Sequence, residues 1–240
     1  SKYPMLDMSK IMFGGDSAGA QIAAQFVLTQ TNTDYAKEVG VNQVSDKGHI
    51  KGSILFCSPL NLKDTVGTKT DNKYLKFFVN TVAWSLTGER NWQSSPAIEQ
   101  ASLVDHLTKD YPPTYITDAN SYSFEDQGIA FANKLNSLGV ETKSLFFKNS
   151  TKQINHEYQF NFTTDEAKES WLKMDSTKSI LDEVCKDCPA QYARGDAPSK
   201  AWDRVGTTLK DLDTTKLHYV RVPENLIVID FDLKDAEGNK

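Results

Sequence analysis

The stretch 11-IMFGGDSAGAQIA-23 decides how the fold is read. An apolar run gives way to two glycines, then to a lone serine among small residues, then to sequence of helical character. A tight turn from strand to helix needs small residues where the two backbones approach, and it pushes the residue at its apex into the open. The spacing Gly15-Asp16-Ser17-Ala18-Gly19 fits that G-x-S-x-G requirement, with the Ser17 hydroxyl at the apex.

Working outward, Lys10 to Phe13 reads as a buried parallel strand ending at Gly14-Gly15. Ala18 to about Gln30 reads as a helix, because Ile22, Ala23, Phe26 and Val27 recur at three- and four-residue steps on one face. Asn32 to Lys47 is polar and reads as connection, and IKGSILFCSPL from Ile50 reads as a second core strand cut by Ser58-Pro59. Between Asp71 and Leu103, Tyr74, Phe77, Phe78 and Trp84 follow a helical rhythm that suits either a cap over a site or a packed helix pair.

The most regular passage, PPTYITDANSYSFEDQGIAFANKLNSLGVETKSLFF, predicts a strand at Thr114 to Thr117 and a helix from about Phe124 to Leu138. It goes on to a stop at Gly139 and a strand at Thr142 to Phe147. Strand, helix, strand at this spacing implies a crossover between parallel neighbours. The fold class is therefore α/β: a parallel sheet flanked by helices, with a small C-terminal helix-plus-strand segment. The texture changes after Trp171, which divides the chain into residues 1–176 and 177–240.

Composition bounds the function. With 240 residues, 39% hydrophobic and 25% charged, the chain has ordinary globular values, and no apolar run approaches the roughly 18 residues of a membrane helix. The formal net charge of −5 gives no general footprint for nucleic acid, which is bound by clustered Lys and Arg. Three cysteines, Cys57, Cys185 and Cys188, are too few for a disulfide framework and fit a reducing, cytoplasmic setting.

A serine hydroxyl attacks a carbonyl only when a base takes its proton, and a carboxylate normally steadies that base. In α/β sheets these groups follow successive strands in the order serine, acid, histidine. Of the four histidines, only His156, in INHEYQF, follows the last strand of the regular part by a short polar loop, so it is the candidate base for Ser17. Asp118, at a strand end, is favoured over Glu125 as the acid. The competing roles are an Asx turn for Asp118 and helix N-terminal charge compensation for Glu125 and Asp126.

Together GGDSAGA, PPTYITDANSYSFEDQG and NHEYQF resemble the hormone-sensitive-lipase-like branch of the α/β-hydrolase fold, over about residues 1 to 174. The resemblance implies a serine carboxylesterase acting on short or medium acyl esters, a small-molecule substrate and no cofactor, with Ser17 as nucleophile and His156 as general base. The branch also carries an HGGG-type loop and several strands ahead of its serine, whereas nine residues precede KIMF here. The expected oxyanion donor is therefore the N–H of Ala18. In the slot where the branch keeps its acid, four residues before Asp126, this chain has Tyr122.

In the C-terminal part, VIDFDLKD runs a strand into Asp230 and Asp232, two carboxylates on one side of an extended chain that suit a divalent ion. AWDRVGTTLKDLD with LHYVRVPENLIVIDFDLKD resembles the opening of phage and plasmid primase–polymerase domains, which implies nucleotide handling as the alternative function, with a joined inactive fragment as a third. Cys185-Lys186-Asp187-Cys188 is a lone C-x-x-C without a second ligand pair and reads as ordinary thiols.

Overall fold

The four segments read as strands in the first part of the chain pair into one parallel sheet. A computed structural model of the protein describes residues 8–66, 73–175, 220–222 and 225–227. Four strands, β1 (Ile11–Asp16), β2 (Ile50–Phe56), β3 (Thr114–Thr117) and β4 (Thr142–Leu145), pair in parallel in the order β1-β2-β3-β4. The helices are α1 (Ala18–Thr31), α2 (Thr33–Glu38), α3 (Lys73–Thr87), α4 (Pro96–Gln100), α5 (Glu125–Ser137) and α6 (Asp165–Asp175). Val220–Val222 and Asn225–Ile227 form a separate antiparallel pair, β5 and β6.

Alternation along the strands builds two cores, one on each face of the sheet. Leu55 and Ile116 point to one face, where Ala20, Ala24, Val27 and Leu28 of α1 and Phe131, Ala132 and Leu135 of α5 cover them. Their neighbours Ile54, Phe56 and Tyr115 point to the other, against Trp171 of α6 with Phe160 and Phe162. Helices on both faces explain why Ile54 to Phe56 of β2 reads as a continuous apolar run rather than an alternating one.

Three expectations need correction. The first strand does not end at the glycine pair but runs through it to Asp16. Glycines tolerate a central position here because Gly14 packs against Ile54 and Gly15 against α1. The buried face of α1 is built from Ala20, Ala24, Val27 and Leu28, while Ile22 is 66% exposed. The polar connection contains α2, started by Asn32, whose side chain accepts from the N–H groups of Asp34 and Tyr35.

Between β2 and β3, α3 packs as a helix pair with α4. Ala83 and Val79 meet Trp92 and Ile98, and the Trp92 indole donates to Asn80 at 2.9 Å. Beyond the end of α5 at Ser137 and its cap Leu138, Gly139 with φ of 75° supplies the left-handed stop read from the sequence. Of the late strand expected near Leu226 to Ile229, Leu226 and Ile227 lie in β6. Asp230, Asp232, Cys185 and Cys188 lie outside the described residues.

Candidate active site

Register in the sheet sets up the site. Asp16 aligns with Phe56, Phe56 with Thr117, and Thr117 with Leu145, so the strands end level. The next residue of each of the first three strands, Ser17, Cys57 and Asp118, therefore falls in a row along the C-terminal edge. Backbone bonds continue the ladder one step to hold that row: Ser17 N–H to Phe56 O at 2.9 Å, Cys57 N–H to Thr117 O at 2.8 Å and Asp118 N–H to Leu145 O at 3.4 Å. In open α/β sheets ligands gather outside this edge.

Ser17 sits at the sharp turn expected from its motif, with φ 52° and ψ −123°, a backbone conformation rarely adopted by a side-chain-bearing residue. The turn closes tightly. A Cβ on Gly15 would stand 2.4 Å from the Gly19 carbonyl carbon, so only glycine fits between β1 and α1. Ala18 opens α1, where the first N–H groups have no intrahelical acceptor.

His156 reaches this edge on the loop after β4. Asn120 stitches that loop down: its amide donates to the carbonyls of Phe147 (3.1 Å) and Lys152 (3.0 Å), and its oxygen accepts from Ile154 N–H at 2.9 Å. Ser121 pairs with Asn155, and His156 N–H donates to Ser121 O at 3.1 Å. The result is a contact across 139 residues of sequence, His156 Nε2 to Ser17 Oγ at 3.1 Å. Burial pushes the His156 pKa below its ordinary 6.5, which favours the neutral ring that a base requires.

The two candidate acids part company. Glu125 accepts from the Phe147 N–H and faces the end of β4. Asp118 is buried and shares a cluster with His156 and Cys57, whose ligating atoms lie within 4.8 Å of one another. Its Oδ1 accepts from Ala119 N–H at 2.7 Å and its Oδ2 from Phe124 N–H at 2.9 Å, so it closes the loop by itself, without Asn120. Burial pushes the Asp118 pKa up to about 7 against the pull of those two N–H groups. His156 Nδ1 is buried with no hydrogen-bond partner among the described residues. Tyr122 has φ 52° and is 80% exposed.

Three participants in the site are invisible to motif reading. Cys57, with φ 51°, ends β2 beside Asp118, and its thiol donates to Gln159 Oε1 at 3.4 Å. Gln159 in turn donates to the buried Asp16 at 2.6 Å. Asp16, next to the serine, has its pKa pushed up to about 8, first by burial and then by the nearby Glu157 charge. The signal for Cys57 lay in register, which needs the sheet order. For Gln159, no signal was present. His106 has a packing role instead, its ring 4.5 Å from that of Tyr35.

A family described as alpha/beta hydrolase fold matches residues 3–156 of the chain. Among solved structures, esterase B from Lactobacillus rhamnosis is similar at 17% identity and TM-score 0.53, over 75% of this chain and 56% of that one. Its C6-C4 SN3-inhibited form gives 15% identity and TM-score 0.53, over 75% and 57%. An esterase of the bacterial hormone-sensitive lipase family gives 17% identity and TM-score 0.47, over 72% and 55%. The chain thus spans little more than half the length of these structures. No curated protein matches it. Among the described residues no helix is long and apolar enough to cross a membrane. The strand-to-helix turn on a parallel sheet and the family match across most of that sheet agree, and the chain belongs to the α/β-hydrolase fold family.

Proposed function

We propose that this chain is a serine carboxylesterase of the hormone-sensitive-lipase-like branch, acting on short or medium acyl esters. The observation that carries the reading is the 3.1 Å approach of His156 Nε2 to Ser17 Oγ at the C-terminal edge of the sheet. In the reaction Ser17 Oγ attacks the ester carbonyl carbon while its proton passes to His156 Nε2. The carbonyl π electrons move to oxygen, and the Ala18 N–H at the start of α1 is the donor for that oxyanion. Collapse expels the alkoxide, which takes the proton from Nε2 and leaves as the alcohol. Water then repeats the sequence on the acyl-serine, releasing the acid and restoring Ser17.

Asp118 is the acid in this reading, because it shares the cluster with His156 whereas Glu125 is bound to Phe147. Its role is to steady the imidazolium that forms in each half-reaction. Each donor to such an oxyanion matters, since removing one from a hole costs about 100- to 1,000-fold. Hydrolysis of p-nitrophenyl acetate and butyrate tests the reading: turnover is expected, and it vanishes in Ser17→Ala and His156→Ala.

The unpartnered Nδ1 of His156 favours a second reading, a chain that packs as a hydrolase but does not turn over. A folded wild-type chain silent toward both esters selects it. The nucleotide-handling alternative depends on Asp230 and Asp232, outside the described residues.

A further inference from the structure

The row of side chains at the sheet edge contains a donor set that acyl transfer uses only in part. Cys57 Sγ, an Asp118 carboxylate oxygen and a His156 ring nitrogen lie within 4.8 Å of one another. His156 Nε2 is engaged by Ser17, which leaves Nδ1, buried and without a partner, for the cluster. Thiolate, carboxylate and imidazole are the donor types zinc takes, and three protein ligands leave a fourth position for water.

We propose that Cys57, Asp118 and His156 form an inhibitory zinc site that switches off the base beside Ser17. Zinc–ligand bonds of about 2.0 to 2.3 Å put tetrahedral donors roughly 3.5 Å apart, so each pair closes by at most about 1.3 Å. On binding, the Cys57 S–H bond breaks, its electron pair goes to zinc and its proton goes to solvent. Asp118 binds as carboxylate, releasing its proton too when it holds one, and His156 donates the Nδ1 lone pair as a neutral ring. Two anionic donors cancel the charge of Zn²⁺, which removes the main obstacle to placing the ion in a buried site. The N–H groups of Ala119 and Phe124 already anchor the Asp118 carboxylate, as supporting hydrogen bonds do for metal ligands generally.

Inhibition follows from tautomer bookkeeping. A neutral imidazole carries one N–H, and a metal on Nδ1 places it on Nε2. There it donates to Ser17 Oγ and has no lone pair to accept the serine proton. This consequence rests on the acyl-transfer role proposed for His156, whereas the binding site does not.

The test uses the full chain carrying Cys185→Ser and Cys188→Ser, so that Cys57 is the remaining thiol. Titration with Co²⁺ is expected to give a thiolate-to-cobalt charge-transfer band saturating at one equivalent and displaced by Zn²⁺. The band is expected to vanish on adding Cys57→Ser. His156→Ala, in a surface loop, is the second variant should Cys57→Ser not fold, with circular dichroism reporting the fold. Absence of the band in the folded parent, or its persistence in either folded variant, overturns the site. In parallel, Zn²⁺ is expected to abolish p-nitrophenyl butyrate turnover in the parent and to leave Cys57→Ser turnover unaffected. A band without zinc sensitivity overturns the inhibitory switch. A band in a chain with no metal-free turnover upholds the site and sinks the esterase reading instead.

Discussion

Gly15 and Gly19 pack backbone to backbone: a Cβ on Gly15 would lie 2.4 Å from the Gly19 carbonyl carbon and 2.5 Å from its oxygen. No side-chain rotation relieves that clash, because the obstacle is main chain. Gly15→Ala is therefore expected to destabilise the protein by about 3 kcal/mol or to prevent folding, the upper end of what overpacking costs. Gly14→Ala, whose Cβ would meet Ile54 O at 3.1 Å, is expected to cost clearly less. Chemical denaturation of both variants checks the order, and equal losses would count against it.

Asp16 predicts how stability depends on pH. Its pKa is raised in the folded state from the ordinary 3.8 to about 8, chiefly by burial. A raised carboxyl binds its proton more tightly in the folded chain. Its contribution is thus fully present below the ordinary carboxylate value and is lost as pH climbs toward about 8. Thermal unfolding midpoints measured across that window are expected to fall for the wild type and to fall less for Asp16→Asn. Parallel curves for the two proteins would contradict the assignment.

The Asp118 role separates from that of its neighbours by substitution. Asp118→Asn is expected to lower ester turnover at least tenfold, because the amide leaves the His156 imidazolium without a charge to face. Tyr122→Phe, at an exposed position, is expected to leave turnover unchanged. Steady-state kinetics on p-nitrophenyl butyrate, at a temperature where circular dichroism shows both folded, gives the comparison. Unchanged turnover in Asp118→Asn would remove it from the reaction.

Asn120 fastens the loop that carries His156 through three hydrogen bonds. Asn120→Ala is expected to cost roughly 1–3 kcal/mol of stability and to lower kcat with little change in KM, because the base loses its position rather than the substrate its contacts. A change confined to KM would contradict that reading.

These particulars show which parts of the molecule could be read from sequence. The central strand announces itself because burial on both faces favours an unbroken apolar run, here Ile54 to Cys57. The meeting of Ser17 with His156 was legible because a glycine-framed turn and chain order mark the two positions. Two features of the helices escaped. The six-residue α2 has too few turns to show a period, and α1 buries an alanine-rich stripe that hides the exposure of Ile22. Cys57 escaped for a different reason: it joins the site through strand register, a relation among three distant segments. Gln159, which links the Cys57 thiol to Asp16 from a turn after the histidine, belongs to no strand and carries no motif, so nothing in the sequence marked it.

The proposed activation of Ser17 by His156 is tested most directly by covalent trapping. A fluorophosphonate added to the folded protein, followed by mass spectrometry of its peptides, is predicted to modify Ser17 alone. His156→Ala is predicted to slow labelling by about 100-fold or more, as expected when a general base is removed. Label on another residue, or equal labelling rates in the wild type and His156→Ala, would contradict the account.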